Sequence, residues 1–163
     1  MNLYIKQKVF SFKDKFTVKD EYGQDKYMVE GEFFSLGKKL HIYDMAGNEV
    51  AFIQQKILSF LPRYLVFVGD RQIAEIVKQF SLFRPKYEVA GLDWQVEGDF
   101  MAHDYEVIEN GRPVVMIHKE WMTWGDCYAL SIADGADEIV ALATVLAIDC
   151  VIDQARAAAS SAN

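Results

Sequence analysis

The stretch from Asp137 to Ala159 reads as a helix that is apolar on nearly every side, and it follows some 130 residues that read almost entirely as strands. Ile139, Val140, Leu142, Val145, Leu146, Ile148, Val151 and Ile152 point around the whole circumference, whereas a helix lying on a sheet needs only one apolar stripe. Such a helix must be enclosed. Lipid is a poor enclosure for it, because only Ile139 to Ile148 is uninterrupted, about half of the roughly 20 residues a bilayer span requires. Asp149 and Asp153 then follow within the same helix. The strands are therefore expected to wrap it, and the chain is not expected to be an integral membrane protein.

The strand-forming part is written twice. Val29-Glu30-Gly31-Glu32-Phe33 returns as Val96-Glu97-Gly98-Asp99-Phe100, and Lys8-Val9-Phe10-Ser11-Phe12 is echoed by Lys78-Gln79-Phe80-Ser81-Leu82. Further on, Gly47, Val50, Ile53, Tyr64 and Asp70 answer Gly111, Val114, Ile117, Tyr128 and Asp134 at a constant spacing of 64. The spacing shrinks from about 70 at the start of the repeat, as it would if turns shortened while strands kept their register. Two copies of one meander are expected, over about residues 3–69 and 72–133, in a single domain spanning 1–163.

Each copy divides into six strands. In the first they fall near Leu3–Phe10, Phe12–Asp20, Lys26–Phe34, Leu40–Tyr43, Glu49–Ile57 and Tyr64–Val68. In the second they fall near Ile73–Phe80, Tyr87–Ala90, Asp93–Met101, Tyr105–Ile108, Pro113–Trp121 and Asp126–Ile132, with Asn110-Gly111 as the clearest turn signal. About twelve antiparallel strands closed on themselves lose both edges and leave an interior wide enough to need filling. The predicted fold is therefore mainly β, a closed barrel around a central C-terminal helix over about 137–159. Asp134, Asp137 and Glu138 stand where they would cap the helix start.

Trp124-Gly125-Asp126-Cys127-Tyr128, then Ser131-Ile132-Ala133-Asp134 and an apolar helix ending at Ile148-Asp149, resemble the LURP-one-related family of the tubby C-terminal-like superfamily. Phospholipid scramblases are similar at a greater distance. The resemblance spans essentially the whole chain and implies a barrel of about a dozen strands around a hydrophobic helix, with a binding role and no catalysis. The expected ligand is a lipid headgroup, an acidic small molecule or a protein; among similar proteins, tubby domains bind phosphoinositides and scramblases act on lipid. No phosphoinositide-binding lysine and no scramblase calcium segment or cysteine cluster can be matched to a position here.

Composition agrees with a binding domain and narrows its partners. A net charge of −7 argues against nucleic acid, which selects a basic footprint. Residues 1–63 nevertheless carry ten Lys or Arg against eight Asp or Glu, while residues 64–163 carry seven against sixteen, so one end is expected to be mildly basic. Met1 to Phe10 lacks the basic head and apolar run of a secretory signal. Cys127 and Cys150 form no CxxC pair and read as buried thiols. A cytoplasmic location is expected.

The residues that carry chemistry are scattered. His41, His103 and His118 have no metal-ligand spacing, and GxSxG, P-loop and GxGxxG motifs are missing, with Gly91, Gly98 and Gly111 placed as turn punctuation. Catalytic residues, metal ligands and cofactors are therefore not assigned. An enzyme would need Asp, His and Tyr clustered at a barrel mouth. Asp149, if enclosed, would need a partner such as strand backbone or Tyr128.

The repeat also pairs two apolar connections, Ile57-Leu58-Ser59-Phe60-Leu61 and Trp121-Met122-Thr123-Trp124-Gly125. Packing of these side chains into the barrel is the expectation, and the alternative is an exposed contact for a protein partner or a peripheral membrane lipid. On that alternative the candidate contact residues are Phe60, Leu61, Arg63, Trp121, Met122 and Trp124, with Phe83 in the link between repeats. A structural or oligomerising module would use the same residues.

Overall fold

The structure, a computed structural model, describes residues 1–6, 15–32, 36–80, 82, 86–123 and 125–162. Twelve strands precede one helix: β1 (Asn2–Lys6), β2 (Phe16–Asp20), β3 (Asp25–Gly31), β4 (Lys39–Asp44), β5 (Glu49–Gln55) and β6 (Arg63–Val68), then β7 (Arg71–Gln79), β8 (Lys86–Ala90), β9 (Trp94–Asp99), β10 (Asp104–Glu109), β11 (Arg112–Met122) and β12 (Gly125–Ile132), and finally α1 (Glu138–Ser161). Every strand pairs antiparallel with its neighbours in sequence, and β1 pairs with β12 from Asn2↔Ser131 to Lys6↔Cys127 to close the barrel. An even number of strands is what lets an up-and-down barrel close antiparallel.

All twelve strands lie where the hydrophobic alternation and turn residues put them. The outer ends of three of them, at Phe10, Phe12 and Phe34, lie outside the described residues. Alternation sets the core directly: Leu3, Ile5, Val18, Val29, Ile42, Ile53, Val66, Ile76, Val89 and Val107 point inward and are buried, while the residues between them face out. Residues matched in the repeat fall on strands six apart, Val29 on β3 against Val96 on β9 and Tyr64 on β6 against Tyr128 on β12. Gly98 is a correction. It lies within β9 at φ +125°, where a Cβ would sit 2.7 Å from Tyr105 Cα, so close backbone approach rather than a turn requires the glycine.

The helix fills the barrel. Every residue from Ala141 to Ile152 is buried, on all faces, and the helix packs most closely on β5, β6 and β7. Asp137 is its N-cap, accepting from the N–H groups of Ile139 at 2.9 Å and Val140 at 3.1 Å. Glu138 turns to the wall instead, accepting from Tyr27 Oη at 2.8 Å and pairing with Lys26 Nζ at 2.7 Å. That shared carboxylate, after burial, holds the Tyr27 phenol well above its usual pKa. No helix among the described residues is long and apolar enough to cross a membrane.

Strand alternation gives the barrel two unlike ends. Tight turns close one end, between β2 and β3, β4 and β5, β6 and β7, β8 and β9, and β10 and β11, and α1 enters there. Asp44 illustrates how they are built: its carboxylate accepts from the N–H groups of Ala46 and Asn48, both at 2.9 Å, in a self-contained turn. This hairpin end carries Asp20, Glu21, Asp25, Asp44, Asp70, Asp93, Glu109, Asp134 and Asp137. The connections from β1 to β2, β3 to β4, β5 to β6 and β7 to β8 are longer; these and the β9–β10 and β11–β12 turns lie at the opposite end. There α1 leaves the barrel, with Tyr64 Oη donating to Gln154 Oε1 at 3.1 Å and Arg156 Nη2 donating to the Met101 carbonyl at 2.6 Å. Most of the described lysines, among them Lys6, Lys15, Lys38, Lys39, Lys56, Lys78 and Lys86, belong to this loop end.

Candidate functional site

Two features stand out from the packed wall: an apolar rim at the loop end, and a polar cluster inside the barrel. The rim gathers side chains far apart in sequence. Leu36 follows β3, Leu58 and Phe60 follow β5, Phe80 and Leu82 follow β7, and Trp121 ends β11; all are strongly exposed, Phe60 at 99%. Leu58 is held at φ +61°, a left-handed backbone that Cβ-bearing residues adopt only in tight turns. Tyr22 and Met45 are also exposed, in turns of the hairpin end, but the larger set of exposed apolar side chains lies at the loop end.

The expectation that both apolar connections pack into the barrel is overturned for Leu58, Phe60 and Trp121, because α1 already occupies the interior to its last buried turn. Leu61 and Met122 are half-buried, and Met122 packs on the small outward-facing cluster of Tyr4, Cys127 and Ala129. Arg63 is committed to the wall, donating from Nη1 to Glu75 Oε1 at 3.2 Å. Trp124 and Phe83 lie outside the described residues.

Inside the barrel, Asp149 of α1 meets His103, whose Nε2 stands 3.5 Å from Oδ1. The β9–β10 turn holds that imidazole, with His103 at φ +54° and its ring stacked on Tyr128 at 4.2 Å between centroids and 25° between planes. At 3.5 Å this is an electrostatic pairing more than a well-formed hydrogen bond, and Asp149 Oδ1, Tyr105 Oη and Thr144 Oγ1 are buried polar atoms without a hydrogen-bond partner. Burial pushes the Asp149 carboxyl up, against the opposing pull of His103, and pushes the Tyr105 phenol up further, with Asp149 adding to it. The cluster holds the Asp, His and Tyr an enzyme would need. All three are more than nine-tenths buried, however, so the cluster is closed to a substrate in this conformation.

Sequence reasoning foresaw that Asp149 needed a partner and named strand backbone or Tyr128. The partner is His103, and Tyr128 supports it from behind. The signal was the positive-φ turn closing β9, which no spacing between histidines reveals. Asp153 is half-buried where α1 leaves the barrel, and Arg156 donates to the backbone of Met101. Cys127 and Cys150 are buried free thiols as expected, the first pushed up to about 11 by burial and the charges of Glu120 and Asp126. Among the described residues no group of three or more His, Cys, Asp or Glu is arranged to hold a metal.

On the outer wall, His41 bridges two carboxylates, with Nδ1 2.6 Å from Glu49 Oε2 and Nε2 2.8 Å from Glu32 Oε1. Phe52 packs beside the ring at 4.8 Å. With both ring nitrogens facing carboxylates, this set ties β4 to its neighbours.

A closed twelve-stranded barrel around a single C-terminal helix is a tubby-like fold. Residues 1–149 match the LURP-one-related family, and the chain belongs to it. It is 36% identical over 152 residues to the uncharacterised protein YxjI of Bacillus subtilis (strain 168), covering 93% of this chain and 94% of that one. Its fold is also similar to that of a protein from Arabidopsis thaliana solved by X-ray crystallography, with a TM-score of 0.63 and 16% identity over 93% of this chain and 90% of the other.

Proposed function

We propose that this is a non-catalytic binding domain of the cytoplasm that docks by its loop end on an anionic membrane surface. The observation that carries the reading is the convergence of Leu36, Leu58, Phe60, Phe80, Leu82 and Trp121 on one end of the barrel. Exposed apolar side chains inserted at a headgroup boundary gain burial that water denies them, and nearby lysines add attraction to anionic lipid. The orientation turns the acidic hairpin end away from the anionic surface and brings most of the described lysines towards it, although Glu32, Asp99, Asp104, Glu120 and Asp126 share the loop end with them. The whole chain, 1–163, is read as one domain built from two copies of a six-strand unit.

Cosedimentation with phosphatidylcholine vesicles, with and without phosphatidylserine and at low and high salt, tests this. The expected result is binding to the anionic vesicles only, weakened by salt, by Phe60→Ser and by Trp121→Ser. A parent protein that stays in the supernatant throughout overturns the reading, and variants that bind as the parent does remove the rim from it.

A further inference from the structure

The tip of the β9–β10 hairpin is tied to the barrel less firmly than the wall around it. Among the described residues β8 pairs with β9 only at Glu88↔Gln95 and Val89↔Trp94, whereas β9 runs on against β10 as far as Asp99↔Asp104. From Val96 to Asp99, β9 is therefore laddered on one side. The turn from Phe100 to His103 hangs on that ladder and on its own side chains. Left-handed backbone brackets it, with Gly98 at φ +125° and His103 at φ +54°.

The ties from the turn all run inward, to α1 and the core. Phe100 sets its ring edge-on to Tyr87, 4.9 Å between centroids, and 5.6 Å from that of Tyr105. The Met101 carbonyl accepts from Arg156 Nη2 at 2.6 Å, and His103 Nε2 faces Asp149 Oδ1 at 3.5 Å. Beneath the turn Asp149 Oδ1 and Tyr105 Oη are buried without a hydrogen-bond partner, so closure takes two polar groups from water and returns little to them. A closed state of this kind is poised near opening.

One proton decides how much closure costs. Around Asp149 stand His103 from the turn and Tyr105 from β10, with Tyr128 of β12 behind the imidazole, and Asp153 and Arg156 follow on α1. Tyr87 of β8 adjoins Tyr105, while Lys38 and Tyr64 act further out, on Cys150 and Asp153. Burial holds the Asp149 carboxyl above its ordinary range, so it keeps a proton that water would take from it. Once that proton leaves, the anion gains from water, and water reaches it only when the turn lifts; ionisation therefore favours the open state.

We infer that the tip of the β9–β10 hairpin is a pH-operated flap, shut over Asp149 and Tyr105 while the buried His103–Asp149 pair holds a proton and opening as that proton is lost. The flap is independent of the apolar rim and of what the rim binds.

Amide hydrogen exchange of the full chain, followed by mass spectrometry from about pH 5 to pH 8 and corrected for the intrinsic chemical rate, tests this without any ligand. Peptides covering 97–104 report the flap, and peptides covering 40–54, in β4 and β5, report the barrel. Protection of the flap relative to the barrel is expected to fall at least tenfold as pH rises. In Asp149→Asn, which has no carboxyl to ionise, the ratio is expected to stay constant, and Arg156→Gln is expected to lower it at every pH. A constant ratio in the parent, or the same fall in Asp149→Asn, overturns the inference. So does an equal fall in both sets of peptides, which would mean opening of the whole barrel, or an Arg156→Gln protein protected as the parent is.

Discussion

Nε2 of His103 faces Oδ1 of Asp149 at 3.5 Å, and the pair joins the β9–β10 turn to the last buried turns of α1. Burial is the largest influence on the carboxyl and raises its pKa above the ordinary 3.8, with His103 pulling the other way. A raised folded value means that the folded state holds this proton more tightly than the unfolded state. Its contribution to stability is complete below 3.8 and is lost as pH rises through the folded value, where the ionised form must sit in the core. Asp149→Asn removes that loss. Urea unfolding midpoints from pH 4 upward are expected to show an advantage of the variant over the parent that grows through this window and then levels off. His103→Phe keeps a ring against Tyr128 yet removes the pairing, so it is expected to destabilise the parent more than it destabilises Asp149→Asn. A variant difference independent of pH would sink this account.

Leu146 has no exposed surface and lies in the middle of the twelve residues buried on all faces of α1. Leu146→Asp puts a charge with no partner there, at a cost of several kcal/mol, comparable with the whole stability of a domain of this size. It is expected to yield insoluble or unfolded protein, while Leu146→Ala is expected to fold with a loss of about 2–5 kcal/mol. Circular dichroism melts of the two variants check both, and a cooperatively melting Leu146→Asp protein would show that the helix is not enclosed.

Gly98 and Gly111 separate strain from crowding. Both have positive φ, at +125° and +75°, but a Cβ at 111 meets nothing within 4 Å while one at 98 lies 2.7 Å from both Asp104 O and Tyr105 Cα. Gly111→Ala is expected to cost about 1 kcal/mol for the backbone alone. Gly98→Ala must also push β10 away from β9, and is expected to cost about 2–4 kcal/mol and to loosen the His103 turn. Thermal melts give the order, and near-ultraviolet dichroism of the Tyr105 and Tyr128 environment reports the loosening.

Strand positions, closure and the helix were legible because each rests on a local rule. Period-two alternation names the inward residues of a strand, Gly47 and Gly111 mark turns, and a helix apolar all round has to be enclosed. What rests on non-local geometry was not legible. Whether Phe60 plugs the barrel depends on how far α1 fills it, which no alternation records. Gly98 looks like any turn glycine until β10 is laid against it. His103 and Asp149 are 46 residues apart, and their meeting follows from a turn at one end of the barrel and the depth of a helix at its centre.

Phe60 on the β5–β6 connection and Tyr64 in β6 stand four residues apart and should behave oppositely. Phe60 is 99% exposed and touches little, whereas Tyr64 has no exposed surface, reaches α1 through Gln154, and has its phenol pushed up by burial. Phe60→Ser is expected to leave the unfolding midpoint within about 0.5 kcal/mol of the parent, as substitutions away from packed features do. Tyr64→Ser removes a core ring and leaves a cavity beside the helix, at a cost of about 3–5 kcal/mol. Urea unfolding of both variants decides it. A stable Phe60→Ser protein makes any loss of vesicle binding a loss of surface contact, while a destabilised one would return that side chain to the packing of the barrel and remove it from the rim.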